Sequence, residues 1–196
     1  NNITWQLTLS NLQPNDYDII FFINDTTNNT LIFEDYFEVY VKKYIWVNIT
    51  NSLDNPVNLN FTFYRNNTDR VLQFEYVYGF KNITLHERVY DVLIESDIAK
   101  IKVYNLSTFD LQNDFIKYDK VYPTEVNLYK PLGGFAVITP LNINSTIRIY
   151  YDVSIAQQYG AIEDNLKIIY CSDWNFYQKT CSNWIALPSK VDKRYK

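Results

Sequence analysis

Nine asparagines stand in Asn-X-Ser/Thr triplets in which X is not proline: Asn2, Asn24, Asn28, Asn48, Asn60, Asn66, Asn82, Asn105 and Asn144. The side-chain amide of such a triplet is the acceptor of an oligosaccharyltransferase, so the chemistry on offer is covalent attachment of N-linked glycans outside the cytoplasm. The chain has 23 Asn and 23 Ser plus Thr in 196 residues, and chance would give about 2.7 triplets. An Asn-rich chain making triplets by accident is the bland alternative, but its Asn content is already in that estimate. The triplets run the whole length, so most of the surface could carry sugar.

Other residue types offer less. His86 is the only histidine, in Leu85-His86-Glu87-Arg88. Without a second histidine or a reactive cysteine it forms no nucleophile–base pair, and a surface or satisfied strand histidine is the simpler reading. Carboxylates such as Glu34, Asp35 and Glu38 could pair for glycoside hydrolysis, but a chain with 22 acidic residues offers many such neighbours. Cys171 and Cys181 lie ten positions apart. In an oxidising compartment they would close a short disulfide loop, contributing about 2–3 kcal/mol. The rival, half of a metal site, needs about four ligands, and one histidine does not supply them. No metal and no catalytic residue is therefore expected, and no cofactor besides N-linked glycans. Trp174 and Trp184 flank the cysteine loop near Asp173. Exposed, they could stack on sugar rings; buried, they pack beside the disulfide, which is the preferred reading.

These residues need a scaffold, and the composition points to strands. The chain is 47% hydrophobic, 20% charged and 17% aromatic, with 18 Tyr and 12 Phe, a folding composition that favours pleated surfaces. Four glycines and a net charge of −4 with scattered cations argue against a phosphate loop and a nucleic-acid surface. No apolar run approaches the ~18 residues of a membrane span. The longest, Ile19-Ile20-Phe21-Phe22-Ile23, fits a buried strand.

Period-2 alternation recurs along the chain. Examples are Ile45, Val47 and Ile49; Leu59, Phe61 and Phe63; Leu72, Phe74, Tyr76 and Tyr78; Ala99, Ile101 and Val103; and Ile147, Ile149, Tyr151 and Val153. Clusters such as Pro14-Asn15-Asp16 and Asn66-Asn67-Thr68 punctuate them as turns. The pattern predicts an all-β, antiparallel sandwich, with a short helix between Asp110 and Lys120 the one helical candidate. Asn2, Asn48 and Asn60 fall on the polar phase of their strands, and Asn24, Asn28 and Asn66 in turns. Residues 13–196 read as the sandwich head, with a split into two small sandwiches near 105–125 left open.

Asn1 to Leu12 is set off by Pro14-Asn15-Asp16 and places Ile3, Trp5, Leu7 and Leu9 on one phase. Such a strand can be the first of its own sandwich. It can equally complete the sandwich of the next subunit by donor-strand complementation, a head-to-tail contact that does not close and so builds a filament. Burying the four residues would contribute roughly 1.5–3 kcal/mol each before ordering costs. The chain contains no Met, so Asn1 is expected to follow a removed segment, most simply a signal peptide.

The strand Ile3-Thr4-Trp5-Gln6-Leu7-Thr8-Leu9, the dense sequons, the scarce charge and the late cysteine pair resemble the pilins of the archaeal thread. That family forms glycosylated surface filaments of thermoacidophilic crenarchaea. The resemblance is one of character along the whole chain rather than of a sharp motif. It implies an immunoglobulin-like or pilin-like sandwich, a donor segment at residues 1–12, and identical subunits joined head to tail in an extracellular, cell-surface filament for adhesion or cell–cell contact. It implies no enzyme activity. A discrete surface-layer or adhesin β-domain, binding sugar or a partner protein, is the rival reading.

Overall fold

The computed structural model describes residues 8–13, 15–24, 27, 29–108, 115–121, 130–139 and 144–193. Within them the chain is all-β, with two facing sheets and two small hairpins. The first sheet has the order β10-β9-β3-β6 and the second β11-β8-β7-β4-β5. Their strands are β3 (Lys42–Thr50), β4 (Asn58–Arg65), β5 (Val71–Tyr78), β6 (Phe80–His86), β7 (Val89–Glu95), β8 (Ala99–Ser107), β9 (Phe115–Val121), β10 (Gly134–Ile138) and β11 (Ser145–Ile149). All neighbours are antiparallel except β3 and β9, which run parallel. Strands from before and after residues 105–125 share both sheets, as β10 lies in one sheet with β3 and β11 pairs with β8 in the other.

Alternation explains the core. Ile45, Val47 and Ile49 of β3 point inward and are buried, as are Ile83 and Leu85 of β6. They meet Leu59, Phe61 and Phe63 of β4, Val92 of β7 and Val103 of β8 from the opposite sheet in one cluster. Pleated side chains alternate strictly, so one register choice commits a whole face to the core. On β5 Leu72 packs on the core as expected, but from Phe74 onward the expected phase is inverted. Val77 is fully buried, whereas Phe74, Tyr76 and Tyr78 are exposed. This edge strand bonds only to β4 within its sheet; it turns its small branched residue to the core and its aromatic rings outward.

The chain crosses from one sheet to the other at Gly79, between β5 and β6. Its φ of 61° is left-handed, and a Cβ there would meet Pro56 Cβ at 3.0 Å, so glycine is favoured on both counts. Its carbonyl accepts from Ile49 N at 2.9 Å and its N–H donates to Val57 O at 3.2 Å. A buried carboxylate organises the other end. Asp91 accepts from the backbone N–H of Asn67 (3.2 Å), in the β4–β5 turn, and of Asn105 (3.1 Å). Asn67 and Asn105 both have left-handed φ, 58° and 56°, and Asn105 sits where the β7–β8 register slips. Asparagine tolerates this conformation better than most residues.

Two expectations change here. Of the stretch Asp110 to Lys120, residues 110–114 lie outside the described residues, and the rest belongs to strand β9, not a helix, because Ile116 packs on the core and Tyr118 is buried within it at strand spacing. The helix, α1 (Val153–Gln158), lies later, capped by Asp152, whose carboxylate accepts from Ser154 N at 2.7 Å. Val153, taken as a strand residue, opens it.

Candidate assembly site

Three features could engage a partner: a projecting hairpin, an apolar cavity and the segment before residue 14.

Strands β1 (Asn15–Asn24) and β2 (Thr30–Val39) pair only with each other, in register Phe21↔Phe33, Phe22↔Ile32 and Ile23↔Leu31. The run expected to be a buried strand is a strand, but an exposed one. Ile20, Phe22, Ile23, Leu31, Ile32 and Phe33 are each half or more exposed. A two-stranded ribbon has two open faces, and no third described element covers either.

The base of this ribbon is clamped to the sandwich. The Asp16 carboxylate accepts from Tyr40 Oη at 2.7 Å and from Arg88 Nη1 and Nη2 at 3.1 and 2.8 Å, and is ion-paired with Arg65, whose Nε lies 2.7 Å away. Arg88 is buried and its guanidinium also lies over the Tyr40 ring, 4.7 Å from the centroid. Glu38 faces His86 Nδ1 and Arg88, each at 3.5 Å. Burial opposes the charge on Asp16, but the hydrogen bonds from Tyr40 and Arg88 and the charges of Arg88 and Arg65 outweigh it and hold its pKa below the usual aspartate value. Burial, and then the hydrogen bond to Asp16, push Tyr40 up to about 12. His86 is thus a strand-end residue stacked on Tyr40, ring centroids 5.4 Å apart. On β2, Asp35 points to the face opposite Glu34 and Glu38, and Glu34 stands four residues, about 13 Å, from Glu38 along the strand, so the three carboxylates do not converge.

A pocket of about 1410 Å³, partly open to solvent, runs from the core between the sheets to the later segments. Its walls are the core residues themselves, Ile45, Leu59, Phe61, Leu85 and Val92 among them. Its rim comes from later segments that include Lys130, Tyr151 and Lys190. Leu59, Phe61, Leu85 and Val92 are each 5% exposed or less, so the open part of this volume lies toward the later segments and not against the core side chains.

Of the expected donor residues, Ile3, Trp5 and Leu7 fall outside the described residues. Leu9 is 47% exposed and residues 8–13 belong to no strand. Among the sequons, Asn2 and Asn28 also fall outside. Asn24, Asn48, Asn82, Asn105 and Asn144 are exposed; Asn60 and Asn66 are half-buried. Asn48, on the outward phase of β3, lies as its alternation predicts.

Cys171 and Cys181 are joined in a disulfide, Cα–Cα 6.2 Å, beside the short hairpin β12 (Ile169–Cys171) and β13 (Trp184–Ala186). Asp173 lies near both sulfurs, but sulfurs bonded to each other are not thiolate ligands, so the cluster is no metal donor set. Trp174 and Trp184 meet edge-on at 6.0 Å, and Trp174 packs on Ala136 and Phe176. This is the packed arrangement rather than a pair of open stacking rings. No described helix is long and apolar enough to cross a membrane.

No family model, no curated protein and no solved structure matches this chain.

Proposed function

We propose that this chain is a non-enzymatic structural subunit of an extracellular, N-glycosylated filament. Subunits join head to tail when the segment 1–12 of one inserts its apolar phase into the sandwich of the next, and the filament serves adhesion or cell–cell contact. The observation that supports this reading is the partly open, largely apolar pocket that runs from the core residues Leu59, Phe61 and Val92 to the later segments. A strand bearing Ile3, Trp5, Leu7 and Leu9 supplies alternate large side chains of the type that such a pocket accepts. The exposure of Leu9 agrees with a segment not docked on its own body. The uncovered hairpin β1–β2 adds a second adhesive surface, since contiguous exposed apolar patches mark interaction sites. The nine sequons support an extracellular location.

The test compares the full chain with one lacking residues 1–12, by light scattering and electron microscopy, with a peptide spanning Asn1 to Leu12 added back. Filaments from the full chain, and a truncated monomer that the peptide stabilises, are expected. A full chain that stays a stable monomer, and that truncation merely unfolds, would transfer the strand to its own sandwich and leave a discrete surface domain.

A further inference from the structure

The outer face of β3 and β6 carries a four-residue square. In the antiparallel register Trp46 lies opposite Asn82, and Asn48 opposite Phe80. Two sequon asparagines therefore occupy one diagonal and two aromatic residues the other. The rings of Trp46 and Phe80 stack, 5.1 Å between centroids and 19° between planes. They do so in the open, at 43% and 63% exposure, and both asparagines are exposed beside them. Each asparagine thus has one ring two residues before it on its own strand and the other ring across the ladder. Both neighbours are within side-chain reach on a pleated face.

We infer that Trp46 and Phe80 form a platform on which the first sugars of the glycans at Asn48 and Asn82 rest. A pyranose presents an apolar face of C–H groups, and an aromatic face is electron-rich, so the two attract and exclude water when a covalent link holds them together. The link removes most of the association cost that a free sugar would meet. The same ring-to-asparagine spacing recurs at Phe22–Asn24 and Tyr64–Asn66. Four of the nine sequons thus have an aromatic residue two positions before the asparagine. A chain that is 17% aromatic would place about 1.4 by chance over the eight sequons with a preceding pair. The occupant is the glycan rather than a second protein surface, because sugars on both asparagines would stand between these rings and any approaching sheet.

This inference rests on the glycosylated reading given above. Its test uses the full chain made in an N-glycosylating host, with occupancy of each sequon read by glycopeptide mass spectrometry. The thermal midpoint is then measured with and without Asn48→Gln and Asn82→Gln, in the native chain and in the Trp46→Leu, Phe80→Leu background. Leucine keeps apolar bulk but removes the π face, and both positions are exposed, so folding should survive. Loss of each glycan should lower the midpoint by about 2–4 °C in the native chain and leave it unchanged in the leucine background. Protons of the first sugars should show upfield ring-current shifts in NMR spectra only when the rings are present. Equal losses in both backgrounds, or sugar protons without such shifts, would overturn the platform. Empty Asn48 and Asn82 beside occupied sequons elsewhere would overturn it alone. A chain with no occupied sequon would overturn the glycosylated filament as well. Filaments that dissolve on Trp46→Leu without any change in the glycan dependence would assign the rings to a second copy and overturn the platform too.

Discussion

Strand β1 carries five consecutive large apolar residues, Ile19 to Ile23, and four of them are exposed; strand β3 carries three inward ones, Ile45, Val47 and Ile49, and buries all of them. By composition β1 should lie deeper, since a strand apolar on both faces is what a doubly covered sheet requires. The difference lies in what stands beside each strand. β3 has β6 and β9 as sheet neighbours and a second sheet across the core, whereas β1 has β2 alone. Apolar content states what a strand needs covered, and topology states whether the same chain provides the cover. At the hairpin, no third strand among the described residues provides it.

The contrast can be broken by substitutions at matched apolar positions. Leu59→Ala in the sandwich should cost about 2–5 kcal/mol in urea unfolding, because it deletes a fully buried side chain. Asp91→Ala should cost about 1.5–3 kcal/mol, since it orphans two backbone N–H groups that bond a charged acceptor. Gly79→Ala should cost about 1–2 kcal/mol from the left-handed backbone, with the Pro56 contact adding to it. Little loss at Leu59 would mean that the cavity beside it absorbs the change and that the sandwich is not packed as described.

The clamp between the two regions titrates. Asp16 has a folded pKa below its unfolded value. The stability it contributes is therefore present above about pH 4 and is lost as pH falls through the lower folded value. Tyr40 has a raised folded pKa, about 12. Its contribution is full below about pH 10 and is lost as pH rises from there toward 12. Hydrogen exchange at β1 and β2 should accelerate at both extremes before that of β3 does. Equal acceleration in the two regions would mean that the clamp does not govern the hairpin. The smallest stability effect is expected at Phe22→Ser, on the exposed ribbon: within about 0.5 kcal/mol for the monomer, with self-association in sedimentation velocity reduced. A large loss of monomer stability there would show that the hairpin is packed in solution and would remove the contrast.

Much of the sandwich was legible in the residues. The alternations at Ile45–Ile49, Leu59–Phe63 and Ala99–Val103 gave the inward faces, because a half-buried strand writes its orientation in period two. The β5 phase was not legible. Phe74, Tyr76 and Tyr78 resemble a core phase in size and hydrophobicity, and only the register with β4 shows that Val77 faces inward. Strand β9 was hidden because its pairing with β3 is parallel and distant in sequence. The hairpin clamp was equally silent, since Asp16, Arg65 and Arg88 lie far apart in the chain and nothing local links them.

By itself the sequence determined the all-β class, the turn at Asn66-Asn67-Thr68, though not one at Asn15-Asp16, which open β1, the sequons and the one cysteine pair. These depend on local propensity and on short spacings that survive in any fold containing them. Only the tertiary structure decided which apolar strand is covered and that Trp46, Asn48, Phe80 and Asn82 share one square. Each of those is a statement about non-local pairing, which residue types constrain but do not specify, because the same alternating strand can be satisfied by several neighbours and the chain must choose one.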